Sequence, residues 1–235
     1  AHLPGGSVYL LRDRVAFSLD YRRDSLSGAE ANAFYTEPRF ADTATLQREL
    51  RYRLDLRFEG SDTLALRTKM VDAWRHNVNY YYGHCPDGVR GVRSAREIVY
   101  RDLYPGINVV FKITASGQLK YDYRLSAEAS LSDLQLQYEG ATGIRTAEGG
   151  RRLMLQVHDL KLEEHIPAAF TAAGEPLELR YQIQEGETQR VQLVAENAQA
   201  LENQPWVIDP KIEWSAGVTG SSFESITDIH LSQDS

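Results

Sequence analysis

The side chains able to do chemistry are few and scattered. Cys85 is the only cysteine of the chain, and it follows His84 in the stretch Gly83-His84-Cys85-Pro86-Asp87-Gly88. A structural zinc takes four ligands, so this pair predicts no metal site. A surface or half-buried thiol is the better reading, and no internal disulfide can form. Glu163, Glu164 and His165 stand near His158 and Asp159, types from which a metal or acid–base cluster is built. On a strand, however, His158 and His165 are an odd number of residues apart and face opposite sides. A hydrated edge is expected there. No Gly-x-Ser-x-Gly elbow, His-Glu-x-x-His helix, P-loop, dinucleotide glycine fingerprint or EF-hand spacing occurs. A glycosidase-type carboxylate pair cannot be picked out by inspection among 33 acidic residues. No catalytic, cofactor-binding or metal-ligating residue is therefore assigned.

Tyrosine is the abundant resource, with 13 residues. Tyr80-Tyr81-Tyr82 follow Trp74 closely. On a strand Tyr81 opposes Tyr80 and Tyr82, so one face can be core and the other a stacking surface for a sugar or a partner. These four residues form the candidate ligand or partner surface. The competing reading is that tyrosine is simply a favoured strand residue.

Elements of period two must position these residues. Leu50, Tyr52, Leu54, Leu56 and Phe58 alternate with Arg51, Arg53, Asp55 and Arg57. Val15, Phe17 and Leu19 repeat the pattern. Leu119 to Leu125, Leu134 to Tyr138, Leu153 to Val157 and Leu177 to Ile183 do the same. Such runs bury one face of an antiparallel sheet and wet the other. Turn signals such as Pro105-Gly106, Ser116-Gly117 and Glu148-Gly149-Gly150 separate them. The fold class read from this is all-β, an antiparallel β-sandwich, expected as two packed β units with long loops. Two stretches break the pattern. Residues 21–48 read as a loop or a short helix near Ala41–Leu50, and residues 83–96, rich in Gly, Arg and Ser, read as a surface loop. A boundary is expected near Thr114–Gly117. It gives an N-terminal unit over 1–114, a β-sandwich over 115–210, and the start of a following module or linker strand over 211–235.

Composition narrows the classes. A 42% hydrophobic, 25% charged chain of 235 residues can bury a sizeable core. The net charge of −7 lacks the basic balance of a nucleic-acid binder, and the recurring arginines read as solvated strand faces. No apolar run reaches the roughly 20 residues of a transmembrane helix.

Several segments in order carry a resemblance. They are Leu3-Pro4-Gly5-Gly6-Ser7-Val8-Tyr9-Leu10, Asn77-Val78-Asn79-Tyr80-Tyr81-Tyr82-Gly83, Val99 to Phe111 with Tyr104-Pro105-Gly106-Ile107-Asn108, Gly117-Gln118-Leu119-Lys120-Tyr121-Asp122-Tyr123, and Trp206-Val207-Ile208-Asp209-Pro210. Together they resemble the uncharacterised β-rich N-terminal domain of large secreted bacterial surface proteins, mainly of Bacteroidota. Those proteins carry seven-bladed β-propeller-type repeats, or C-terminal domains for gliding motility and type IX secretion. The chain departs from that pattern at Asn108, where Asp is usual, and in the loop after Gly83. The resemblance implies a fragment of a longer exported protein, located extracellularly or on the outer cell surface. It implies as partners the other domains of the same chain, surface proteins or glycans, and the type IX secretion machinery. It implies no cofactor and no catalytic residue.

Structural roles follow for the motif residues Tyr104, Pro105, Gly106, Tyr121, Asp122, Asp209 and Pro210. Pro105-Gly106 suits a type II turn, because Pro fixes φ and Gly supplies a positive φ. Tyr100 and Tyr104 are expected to pack beside it. Asp209, before Pro210, is expected extended and accepting backbone hydrogen bonds at a strand end. Trp206 and Trp214 are expected as core or interdomain plugs. The leading expectation is a non-catalytic structural or interaction module, with no nucleic-acid partner. The alternatives are a glycan-binding adhesin module and an extracellular polysaccharide hydrolase with an unrecognised carboxylate pair.

Overall fold

Alternating apolar and polar residues build two antiparallel sheets whose apolar faces meet. The structure, a computed structural model, describes residues 2–3, 6–23, 48–82, 85–114, 119–186, 188–196, 204–215 and 229–230. The first eight strands are β1 (His2–Leu3), β2 (Gly6–Leu10), β3 (Arg14–Arg23), β4 (Arg48–Glu59), β5 (Arg67–Tyr82), β6 (Cys85–Tyr104), β7 (Ile107–Ile113) and β8 (Leu119–Leu125). The second eight are β9 (Gln135–Glu139), β10 (Gly143–Ala147), β11 (Arg152–Val157), β12 (Leu160–Thr171), β13 (Leu179–Gln184), β14 (Arg190–Ala195), β15 (Trp206–Ser215) and β16 (Ile229–His230). Among the described residues there is no α-helix, and so none long and apolar enough to cross a membrane.

The first sheet runs β1-β2-β3-β4-β9-β14-β13. The second runs β10-β11-β12-β15-β8-β7-β6-β16, and β5 pairs along the other side of β6. Among the described residues every strand pairing is antiparallel, and the arrangement is a β-sandwich rather than a closed barrel. The all-β sandwich expected from the period-two runs is the fold observed.

One continuous core lies between the sheets. The first sheet contributes Phe17, Leu54, Leu56 and Leu136, and the second contributes Ile98, Val109, Phe111 and Ile208. The boundary expected near Thr114–Gly117 falls at the hairpin between β7 and β8, where Ile113 pairs with Leu119. Both sheets combine strands from either side of it. Residues 211–215, expected to open a following module, continue β15 against β12, as far as Ser215 opposite Lys161.

The surface loop expected over 83–96 is corrected. From Cys85 onward this segment is strand β6, paired with β5. Its composition reads as a loop because the ladder is interrupted by register shifts between Ala73 and Asn77 and on either side of Tyr80. Gly88 and Gly91 take positive φ of 66° and 70° there, conformations that bulges assign to glycine. The Gly91 amide donates to Asn79 Oδ1 at 2.9 Å, which holds the bulged chain. Of the helix expected near Ala41–Leu50, residues 41–47 lie outside the described residues, and Arg48–Leu50 already belong to β4.

Candidate functional site

The chemistry that the sequence scatters is gathered inside the sandwich. On β12 the inward positions are Leu160, Leu162, Glu164 and Ile166, and all four are buried. Glu164 is 3% exposed. It reaches from the second sheet to two tyrosines of the first. Tyr138 Oη on β9 donates to its Oε2 at 2.8 Å, and Tyr181 Oη on β13 donates to its Oε1 at 2.6 Å. Burial pushes the Glu164 carboxyl above its usual range, and the hydroxyls of Tyr181, Tyr121 and Tyr138 offset part of that rise. The tyrosines respond in kind: burial first, then the Glu164 charge, raise Tyr121, Tyr123, Tyr138 and Tyr181 well above the normal phenol. A void of about 10 Å³, the size of one water probe, touches Glu164, Tyr138, Phe17 and Leu155. This corrects the hydrated edge expected for Glu163–His165, because Glu164 faces the core. Glu163 lies on the opposite face with Arg152 at 3.1 Å. His158 stands apart, at the turn between β11 and β12, with its ring stacked on Tyr52 at 4.6 Å.

The turn motif closes one end of the sandwich. Pro105-Gly106 joins β6 to β7, and Gly106 has φ 72°. A Cβ there would stand 2.4 Å from Ser126 Oγ. Tyr104 Oη crosses to the first sheet and donates to the carbonyls of Glu59 at 2.9 Å and Gln135 at 3.1 Å. Tyr100 Oη donates to the Leu11 carbonyl at 2.8 Å. Asn108 Oδ1 accepts from the Asp102 amide at 2.9 Å, across a bulge where Asp102 has φ 56°. An Asp at that position has the same acceptor, so the departure from the resembled pattern leaves this contact possible.

The outer faces carry charge. On the first sheet Arg14 meets Asp55 at 3.0 Å and Glu139 at 3.1 Å, Arg53 meets Asp55 at 2.7 Å, and Arg57 meets Glu139 at 2.8 Å. Burial raises the Asp55 carboxyl, but the hydrogen bonds from Arg53 and Arg14 outweigh it and hold the group below the usual range. On the second sheet Lys112 and Lys120 are cross-strand neighbours. Lys112 is bonded to Asp122 at 2.5 Å, and Lys120 is bonded to Asp209. Asp122 and Asp209 thus each bind one lysine of a single cross-strand pair. Asp209 lies within β15 rather than at its end, and its partner is a lysine ammonium. Pro210 is buried beside it, and Trp206 is a core residue, 2% exposed. The side chain of Trp214 lies outside those described.

The expected partner surface maps to the β5–β6 hairpin. Trp74 is half-buried and meets His76 edge-on at 4.9 Å. Tyr80, Tyr81 and Tyr82 end β5, but their side chains lie outside those described, as do that of Cys85 and the whole of His84. β7 accompanies β6 only from Glu97 to Tyr104. Before that, β16 touches it at Ser94 and Ala95. Among the described residues, the remainder of the hairpin is a two-stranded ribbon extending past the sheet.

An open cleft of about 330 Å³ lies beside the turn after β4, lined by Arg12, Asp13, Arg57, Glu59, Ser61 and Thr63. Its charges are largely matched internally, Arg57 with Asp13 at 3.8 Å and Glu59 with Arg190 at 2.7 Å. Among the described residues no three His, Cys, Asp or Glu side chains group as a metal site.

These observations define a two-sheet all-β sandwich, clamped internally by tyrosines and carrying a projecting hairpin. The chain belongs to the family described as a domain of unknown function, DUF7948, whose model matches residues 1–211. No curated protein and no solved structure gives a match.

Proposed function

We propose that this chain is a structural and interaction module, without catalysis, of a large secreted or cell-surface bacterial protein. The observation that carries the reading is the hairpin. Its strands of 16 and 20 residues run well past the sheet that anchors them. A rigid sandwich that projects an exposed arm suits recognition outside the fold, since functional contacts concentrate on segments held by a rigid scaffold. The interior supports the same reading. Glu164, Tyr138, Tyr181, Tyr100 and Tyr104 face inward and hold one sheet to the other, which takes those groups away from solvent. Export and the association with further domains of a longer chain, including the secretion machinery, rest on the resemblance of the motif segments.

The test is a turnover screen of the purified chain against extracellular polysaccharides, esters and peptides. No turnover is expected. Turnover removed by a single-residue change overturns the reading. For location, protease treatment of intact cells should cleave the parent protein; complete protection counts against surface exposure.

A further inference from the structure

The two outer faces of the sandwich differ in how they treat arginine. On the first sheet Arg14, Arg53 and Arg57 each lie within 3.0 Å of a carboxylate oxygen. On the second sheet Arg67, Lys69, Arg101 and Arg124 are exposed, and among the described residues none of them makes an ion pair. Arg67 and Arg101 are directly opposite each other in the β5–β6 register. In the same ladder Tyr100, which stands opposite the exposed Thr68, is buried in the core, so the two arginines one residue away share the outer face. Like charges directly opposite on a sheet are destabilising. An anion placed between them removes that cost.

Further along the hairpin Arg75 and Arg93 are exposed too, near the half-buried Trp74, while Arg96 is exposed on the opposite face, the one that carries Ile98 and Tyr100. From the Arg67–Arg101 pair to Arg93 the strand covers about 25 Å at about 3.3 Å per residue. Asp72, Glu97 and Asp102 stand among these cations, and none of them forms an ion pair with one. Basic side chains still exceed acidic ones on the hairpin, in a chain whose total charge is −7.

We propose that the outer face of the second sheet and its hairpin form a docking surface for an acidic polysaccharide. The inference rests on the reading of the chain as an interaction module and names the partner's chemistry. Three features select this occupant. The cations form an open track rather than a pocket, which suits an extended chain. Among the described side chains the exposed large apolar ones, Tyr9, Leu64 and Phe170, lie on other strands and loops, so the described part of this face lacks the apolar centre of a protein–protein interface. Duplex nucleic acid places one charge per about 1.7 Å, far denser than this track. A polysaccharide with one carboxylate or sulfate per sugar or two is sparser. Arginine forks bind such planar or tetrahedral anions in bidentate fashion, and Trp74 offers a ring on which a sugar stacks.

The experiment titrates the whole chain with alginate oligosaccharides, neutral dextran, polyglutamate and a single-stranded oligonucleotide at low salt. Alginate should bind, and dextran should not. Replacing Arg67→Glu and Arg101→Glu together should weaken alginate binding by about tenfold or more, as loss of two charge-assisted contacts predicts. The Arg67→Gln, Arg101→Gln pair should weaken it less but measurably. Arg145→Glu, an exposed site on β10 at the far edge of the same sheet, should leave it unchanged. Trp74→Ala should weaken alginate and spare polyglutamate. The inference is overturned by absence of alginate binding, by an equal loss with Arg145→Glu, or by polyglutamate or oligonucleotide binding as tightly through the same arginines. Those results would leave the module reading intact, because that reading is refuted by turnover and by protease protection, not by the choice of anion.

Discussion

Replacing Glu164 tests whether the interior of the sandwich is held by a carboxyl group in an unfavourable ionisation state. The side chain is 3% exposed and accepts phenol hydrogen bonds at 2.6 and 2.8 Å from the opposite sheet. Glu164→Ala leaves the Tyr138 and Tyr181 hydroxyls buried without that acceptor. At about 1–3 kcal/mol per unsatisfied group, the expected loss is about 2–6 kcal/mol before any cavity cost. Glu164→Gln keeps the volume and one acceptor oxygen but turns the other into a donor, so one tyrosine hydroxyl must reorient; that cost does not vary with pH, and the pH slope isolates the charge. The folded pKa of Glu164 is raised. The native state therefore holds the proton more tightly than the unfolded chain, and wild-type stability falls as pH rises from the unfolded value through the folded one. Gln has no such slope. Each unit of upward shift corresponds to about 1.4 kcal/mol. In urea melts between pH 4 and 8, Glu164→Gln should gain on the wild type as pH rises. The acid sensitivity of other carboxylates cancels in that difference. A flat difference, or one in which the wild type gains with pH, refutes the argument.

Other changes probe the remaining clamps. Tyr104→Phe strips the Glu59 and Gln135 carbonyls of their shared donor and should cost about 1–2 kcal/mol in denaturant melts. Gly106→Ala places a Cβ 2.4 Å from Ser126 Oγ at φ 72°, and should lower stability by roughly 1–3 kcal/mol from the backbone conformation, with the clash added. Asp55→Asn removes the acceptor shared by Arg14 and Arg53. Because the Asp55 carboxyl is held low, its contribution is present above the unfolded pKa near 3.8 and is lost as pH falls through the folded value. The variant should therefore be less stable at pH 7 and show a shallower acid limb below about pH 4 in melts followed by circular dichroism.

Strand identity was legible because side-chain period survives in local sequence. Strand pairing was not: β4 lies beside β9, with Asp55 opposite Glu139, and no local pattern joins residues so distant. The same limit hid the clamp. Leu160, Leu162 and Ile166 mark the inward face of β12, and Glu164 falls on it by parity, a signal present in the chain. The hydrated-edge expectation rests instead on the opposite parity of His158 and His165, which leaves the parity of Glu164 itself unused. Only the arrival of Tyr138 and Tyr181 from the other sheet shows how a carboxyl group is accommodated there. In the 83–96 segment the bulge glycines imitate a loop, although the backbone between them remains paired.

The destination of the tyrosines bears on where recognition can reside. Tyr100, Tyr104, Tyr121, Tyr123, Tyr138 and Tyr181 are buried. Four of their hydroxyls donate to groups that span the sheets. A tyrosine-rich composition therefore argues here for sheet-to-sheet clamping. Arginine follows the opposite course. Where an internal carboxylate is at hand, as at Asp55 and Glu139, arginines gather on it from several strands. Folding thus has the means to neutralise them, and it does so on one face. Arg67 and Arg101 stand opposite each other, and among the described residues neither pairs with a carboxylate. Like charges so placed oppose each other, and on the proposal made above an external anion relieves that repulsion. Charge, with Trp74 as the aromatic contact, then selects the partner, and affinity should fall steeply with added salt.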